Sequence, residues 1–366
     1  MGQFIIVGCD LHARNMLVKY AVDREKPLKR SLRNTRRGRQ TLVRMLRRLS
    51  EDAGGAQVVF AYEASSLGFT LYDELTAAGI TCHVLAPTKI PRSWKHRLSK
   101  TDERDAQLIF EMLRAHLLAG NELPTVWVPD RQTRDDREVT RARIDVGQKL
   151  TRVKCQIQSL LKRNGVSRPT LVPKPWSKRF LAWLDALVGG PELGPYASVW
   201  LSSLLGQLRA LETEKAYLDE HVAALARRER YAAQVEAMTQ WRGVGEFVAV
   251  AFAAELGDPE RFSNRREVAS FFGLVPQSDE SGEGSDRKGH ITRQGSGRVR
   301  RLLCQAAHAW IRWNPLVRSR YERLVARNPK KKKIAVVAMM RRLCIRLWHA
   351  ACDARRAAAA CREGEE

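Results

Sequence analysis

The sequence predicts an α/β domain at the N-terminus, a long helical arm in the middle and a mainly α C-terminal domain. Three observations predict it. Short runs of strand formers alternate with helical patterns up to residue 128, a charged stretch with helically spaced leucines follows, and beyond residue 230 apolar residues recur at helical spacing around glycine turns. The expected units are therefore 1-128, an arm over 129-230 with a Pro/Gly-rich insertion at 165-195, and 231-366.

Phe4-Ile5-Ile6-Val7-Gly8-Cys9-Asp10 is an apolar run that ends in a carboxylate. Met16 to Val22 is a second strand, and Leu28 to Leu32, after the turn-like Asp23-Arg24-Glu25-Lys26-Pro27, is a weaker third. Thr35 to Leu49 has helical spacing, with Leu42, Leu46 and Leu49 on one side. Gln57 to Tyr62 reads as a strand ending at Glu63, Leu67 to Ala78 as a helix closed by Gly79, and Thr81 to Leu85 as a fifth strand. A helix starting near Thr101 completes the series. Three strands, helix, strand, helix, strand, helix is the layout of an RNase H-like domain.

On that layout the carboxylates fall together. Thr101 is an N-cap, and Asp102 and Asp105, at i and i+3, share a helix face in the first turn, where the helix dipole favours acids. The first and fourth strands of this fold lie side by side, so Asp10 and Glu63 are expected to face Asp102 and Asp105 across a shallow site. A single carboxylate at a strand end is ordinary. Four clustered carboxylates repel one another and are tolerated chiefly when a cation neutralises them. Hard oxygen donors suit Mg2+ or Mn2+, which can orient and polarise a phosphate.

The charge balance points to the same class of partner. Against 40 Asp and Glu stand 64 Lys and Arg, a net charge of +24, and the commonest partner for so large an excess is nucleic acid. A membrane is the weaker alternative, because no apolar run approaches the roughly 18 to 20 residues a span needs. No signal peptide is read, so a cytoplasmic, nucleoid-associated protein is expected. Seven scattered cysteines without a Cys-x-x-Cys pair argue for reduced packing thiols and no zinc site. Lys29 to Arg48 holds nine basic residues, Arg36 and Arg37 among them, and no acidic one. The basic loop from Ala86 to Arg97 carries Trp94 for stacking and leads to Lys100, while Lys330 to Lys333 opens a basic C-terminal helix that is expected to fray from Ala357.

Asp130 to Asn164 reads as one long charged helix and Ala197 to about Arg228 as a second, able to fold back as an antiparallel, coiled-coil-like arm for oligomerisation. Between them, five prolines and four glycines over residues 165-195 predict a loop or hairpin. Gly243-Val244-Gly245 joins two helical stretches in the manner of a helix-hairpin-helix, whose glycines let backbone amides approach a phosphate. Farther on, a Ser-Gly loop containing Ser278, Ser281 and Ser285 lies beside Arg287, Lys288, His290, Arg293, Arg298 and Arg300. A serine attacking a phosphodiester needs such a setting, with cations to stabilise the phosphorane.

These pieces together resemble the DEDD transposases of insertion sequences, the bridge-RNA-guided serine recombinases with a RuvC-like domain. The match rests on Asp10, Glu63 and Lys100-Thr101-Asp102-x-x-Asp105-Ala106 in front. Behind them stand Gly243-Val244-Gly245, Gly273-Leu274-Val275-Pro276, Ser281-Gly282 and Gly289-His290-Ile291-Thr292-Arg293-x-Gly295, with Arg300 beyond. The resemblance implies that Asp10, Glu63, Asp102 and Asp105 are a metal-binding catalytic tetrad and that Ser281 is the serine joined covalently to DNA. It also implies donor and target double-stranded DNA as substrates, a structured non-coding guide RNA, and dimers assembling to a tetramer with composite active sites. The competing chemistry for the same residues is a RuvC-like metal-dependent nuclease or junction resolvase using water as nucleophile.

Overall fold

The computed structural model describes residues 3–91, 101–172, 174–279, 287–327 and 329–363. The chain divides into two compact units, Met1–Pro129 and Asp130–Glu366.

The first unit is built on one five-stranded sheet, ordered β3-β2-β1-β4-β5. The strands are β1 (Phe4–Leu11), β2 (Asn15–Val22), β3 (Leu28–Arg33), β4 (Gln57–Glu63) and β5 (Thr81–Leu85). β1 pairs antiparallel with β2, as β2 does with β3, whereas β4 runs parallel to both β1 and β5. Alternation along the central strands sorts side chains to two cores. Ile5, Val7 and Cys9 face α1 (Arg36–Asp52) and α2 (Thr70–Ala77), which contribute Leu42, Leu46, Leu71 and Leu75. Ile6, Val59 and Ala61 face α3 (Asp102–Ala119), which contributes Ile109, Phe110 and Leu113. This mixed sheet with helices on both faces is compatible with the RNase H-like layout.

In the second unit α4 (Arg131–Arg163) and α6 (Pro195–Ala226) pack along a seam that includes Leu150, Val153, Ile157, Leu201, Leu204 and Leu208. Their polar contacts run in opposite senses: Arg143 with Asp219, Lys154 with Glu212 at 3.5 Å, and Arg163 over the Trp200 ring at 5.3 Å. The pair is therefore antiparallel. The segment between them differs from the expected loop, because it contains a helix, α5 (Lys178–Leu187). Phe180, Leu184 and Leu187 recur at helical spacing and are buried on the seam, and the Ser177 hydroxyl accepts the Phe180 amide as N-cap. The prolines and glycines of this stretch lie outside those ten residues.

The remaining helices are α7 (Glu229–Thr239), α8 (Glu246–Leu256), α9 (Arg265–Phe271), α10 (Gly297–Trp313), α11 (Pro315–Arg327) and α12 (Lys332–Glu363). They enclose a core centred on Phe252, Phe272, Trp310, Met339, Leu343 and Leu347. α12 does not end near Ala357 as expected but runs on to Glu363. Its alanine-rich end has high helix propensity, and Arg355 and Arg356 pair with Asp258 and Glu260. A short antiparallel pair, β6 (Pro276–Asp279) and β7 (Arg287–Ile291), completes the unit. All seven cysteines are free, and among the described residues no helix is long and apolar enough to cross a membrane.

Candidate active site

The parallel pairing of β1 with β4 ends at Cys9 and Tyr62, which leaves Asp10 and Glu63 at matching positions one residue on. Residues at matching positions of paired strands point to the same face. Asp10 follows Ile6 and Gly8, and Glu63 follows Val59 and Ala61, so both carboxylates belong to the α3 face. Gly8 is what lets the helix come this close. A Cβ placed on it would stand 2.3 Å from the Phe110 backbone nitrogen, so no other residue fits between strand and helix as they are.

α3 presents its first turn at this end of the sheet. The Thr101 hydroxyl accepts the Arg104 amide, the expected N-cap. Asp105 is buried, and Asp102 is exposed one turn edge away. Between them Glu103 binds Lys19 Nζ at 2.7 Å and Lys29 Nζ at 2.6 Å, which ties the helix start to β2 and β3. The hydrogen bonds and charges of the two lysines hold the Glu103 carboxyl down at about 2. Lys29 thus has a partner inside the unit, as does Arg39, whose fork grips Glu74 at 2.8 and 3.0 Å. Arg36 and Arg37, in the first turn of α1, are exposed.

Asp10 and Asp102 are brought together around a residue that the sequence did not single out. His12, just past the end of β1, places Nε2 3.0 Å from Asp10 Oδ2 and 3.3 Å from Asp102 Oδ1. One ligand atom from each of the three lies within 4.8 Å of the others. Burial pushes the Asp10 carboxyl above its ordinary value; the His12 ring pulls it back by charge and hydrogen bonding, and the Asp105 and Asp102 charges push it up further. Two carboxylate oxygens and an imidazole nitrogen, with a third carboxylate near enough to be felt, form a donor set that fits a hard or borderline divalent cation. The signal that could have found His12 is the spacing Asp-x-His at a strand end.

In the second unit Gly243 and Gly245 lie in the turn between α7 and α8, where Gly245 is the N-terminal cap residue of α8. Gly243 has φ 94°, and a Cβ on it would meet the Ala306 carbonyl oxygen at 2.7 Å, so it seats the turn against α10. The glycine-rich motifs flanking the hairpin are knitted into one knot. A Cβ on Gly273 would stand 2.1 Å from the Gln294 carbonyl, and Arg293 has φ 55°. Arg300 Nη1 donates to the carbonyls of Phe272, Gln294 and Gly295 at 3.0 to 3.1 Å. Arg298 makes a two-pronged bridge to Asp145 at 3.0 and 2.9 Å. His290 and Arg293 are exposed. Arg287 and Lys288 contribute backbone to β7, while Ser281, Ser285, Lys100 and Trp94 lie outside the described residues.

Comparisons with known proteins find relatives over most of the chain. Residues 7–164 match a family described as Transposase, of the DEDD IS110 type, and residues 235–322 match the Transposase IS116/IS110/IS902 family. A Sinorhizobium fredii protein that carries the name transposase y4qE is 31% identical over 323 residues, 81% of this chain and 76% of its own length. A second from that organism, y4rJ, is 30% identical over 78% of this chain and 75% of itself. The transposase for insertion sequence element IS1533 of Leptospira borgpetersenii is 25% identical over 74% of this chain and 75% of itself. With similarity of this extent reaching both compact units, the chain belongs to the IS116/IS110/IS902 family of insertion-sequence transposases, of the DEDD type.

Proposed function

We propose that this transposase is a DNA recombinase that moves its own insertion sequence between double-stranded donor and target DNA, guided by a structured non-coding RNA, in the bacterial cytoplasm at the nucleoid. The observation that carries the reading is the convergence of Asp10 and Asp102, with Asp105 close enough to raise Asp10, at one end of the sheet. Asp10, Glu63, Asp102 and Asp105 would hold Mg2+, or Mn2+, which when bound supplies charge neutralisation and orientation at the scissile phosphate. Ser281 is the nucleophile: its Oγ forms a bond to phosphorus as the bond from phosphorus to O3′ breaks. The serine proton passes to solvent, and the released O3′ takes one up. The product is a 5′-phosphoserine linkage and a free 3′ hydroxyl, which keeps the phosphate activated for strand exchange.

The remaining residues bind and orient. Arg36, Arg37 and Lys100 neutralise backbone phosphates beside the acidic site, and Arg287, Lys288, His290 and Arg293 do so around the serine. The Gly243 to Gly245 turn acts as a helix-hairpin-helix, offering the backbone amides at the start of α8 to a phosphate. Arg298 and Arg300, held by Asp145 and by the carbonyls of Phe272, Gln294 and Gly295, brace the turns beneath that surface instead of contacting phosphate themselves. The antiparallel pair of α4 and α6 acts as a coiled-coil arm that joins dimers into a tetramer.

The test is to incubate the full chain with its element's junction DNA, flanking RNA and Mg2+, and to look for a protein–DNA adduct on a denaturing gel. An adduct formed by the wild type and lost in Ser281→Ala is expected. Cleavage with no adduct, unchanged by Ser281→Ala but abolished by Asp10→Ala, would instead assign the water-dependent nuclease chemistry.

A further inference from the structure

We infer that His12 is a nitrogen ligand of the divalent cation, joining Asp10 and Asp102 of the acidic set with an imidazole donor, and that Asn34, Arg39 and Glu74 are its positioning residues. The inference rests on the reading of the acidic cluster as a metal centre.

His12 Nε2 faces both carboxylates at 3.0 and 3.3 Å, the separations of atoms that can share one ion. Its backbone is pinned on both sides. The His12 amide donates to the Asn15 carbonyl at 2.8 Å, and the His12 carbonyl accepts from Asn34 Nδ2 at 2.8 Å. Asn34 Oδ1 in turn accepts from Arg39 Nη1 at 3.0 Å, and Arg39 Nε and Nη2 donate to the two Glu74 oxygens at 2.8 and 3.0 Å. This chain of contacts runs from the turn after β1, through the link between β3 and α1, to α2. These contacts fix the backbone from which the ring reaches the two carboxylates, and a ligand held in place before the ion arrives needs such support.

The two roles predict opposite outcomes. As a ligand, His12 adds a nitrogen donor, which favours Mn2+ over Mg2+, since Mg2+ prefers an all-oxygen shell. As a counter-ion, His12 competes with the cation, and removing it tightens binding. The experiment is a Mn2+ titration of the full chain followed by pulsed electron paramagnetic resonance, which reads nitrogen coupling to the bound ion. Directly bound imidazole nitrogen is expected in the wild type and lost in His12→Ala, with Mn2+ affinity lowered by more than the about 10–100-fold typical of losing an outer partner alone, and Mg2+ affinity lowered less. Asn34→Ala should retain the coupling but weaken Mn2+ binding by a smaller factor. Mn2+ that binds and is lost in Asp10→Ala, yet shows no nitrogen coupling or binds His12→Ala as tightly as wild type, would overturn the role of His12 alone. Wild type that takes up no Mn2+, or takes it up regardless of Asp10→Ala, would overturn the metal centre as well.

Discussion

The start of α3 in the first unit and the start of α10 in the second use charge in opposite ways. At α3 the acids reach outward, Asp102 to His12 and Glu103 to Lys19 and Lys29, and Asp10 is left with like charges that His12 only partly offsets. At α10 the cations turn inward, Arg298 onto Asp145 and Arg300 onto three carbonyls. The difference comes from the backbone. Left-handed residues at Gly273, Arg293 and Gly295 fold the motif into tight turns whose carbonyls need donors, and Arg300 supplies them. The strand ends of the first unit leave carboxylates crowded instead of carbonyls unsatisfied. A charged residue within a motif is therefore not by itself a ligand contact; the demand of the local backbone decides.

Breaking the close approach of α3 should have the largest effect. In Gly8→Ala the added methyl meets the Phe110 backbone rather than a side chain that could swing away, so α3 must lift from β1. Thermal unfolding should show a loss of about 1–3 kcal/mol, the range for overpacking a tight interior, and Mn2+ binding should weaken as the α3 acids leave Asp10. Unchanged stability would mean that the helix does not sit this near the strand.

Next, Arg300→Ala should destabilise the second unit by about 1–3 kcal/mol through its orphaned carbonyls. Arg36→Ala and Arg37→Ala, at exposed positions, should stay within about 0.5 kcal/mol of wild type. Each of these two should instead reduce the slope of log DNA affinity against log salt by about one. If Arg300→Ala lowered that slope without any loss of stability, Arg300 would be a phosphate contact and not a brace for the turns.

The smallest effect belongs to Glu103→Gln. The Glu103 carboxyl is held down at about 2 from an ordinary 4.5, so its contribution is present above pH 4.5 and is lost as pH falls towards 2. Denaturation midpoints of wild type and Glu103→Gln should differ at neutral pH and converge across that window. The difference should shrink at high salt, because the carboxylate and Lys29 are about half exposed.

Much of the fold was legible because it is written at short range. Runs of strand formers bounded by turn residues placed β1 to β5, and the Thr101 cap with its acidic first turn placed α3 at the residue where it begins. Charge and apolar spacing over Asp130 to Asn164 marked α4 to within a residue. The α5 helix was not legible, because a stretch rich in proline and glycine reads as loop until Phe180, Leu184 and Leu187 find the seam of α4 and α6. His12 escaped notice for a similar reason: only the fold brings Asp102 to within 3.3 Å of it.

The sequence by itself determined the class of domain, the family and the order of the four acids, since apolar periodicity and motif spacing depend on near neighbours in the chain. Only the tertiary structure decided which charged groups stand open and which are engaged. Glu103 meets Lys19 across 84 residues and Arg298 meets Asp145 across 153. Pairings at such separations are set by strand register, by a glycine that admits a helix at Gly8, and by turns whose carbonyls require a donor, none of which local spacing encodes.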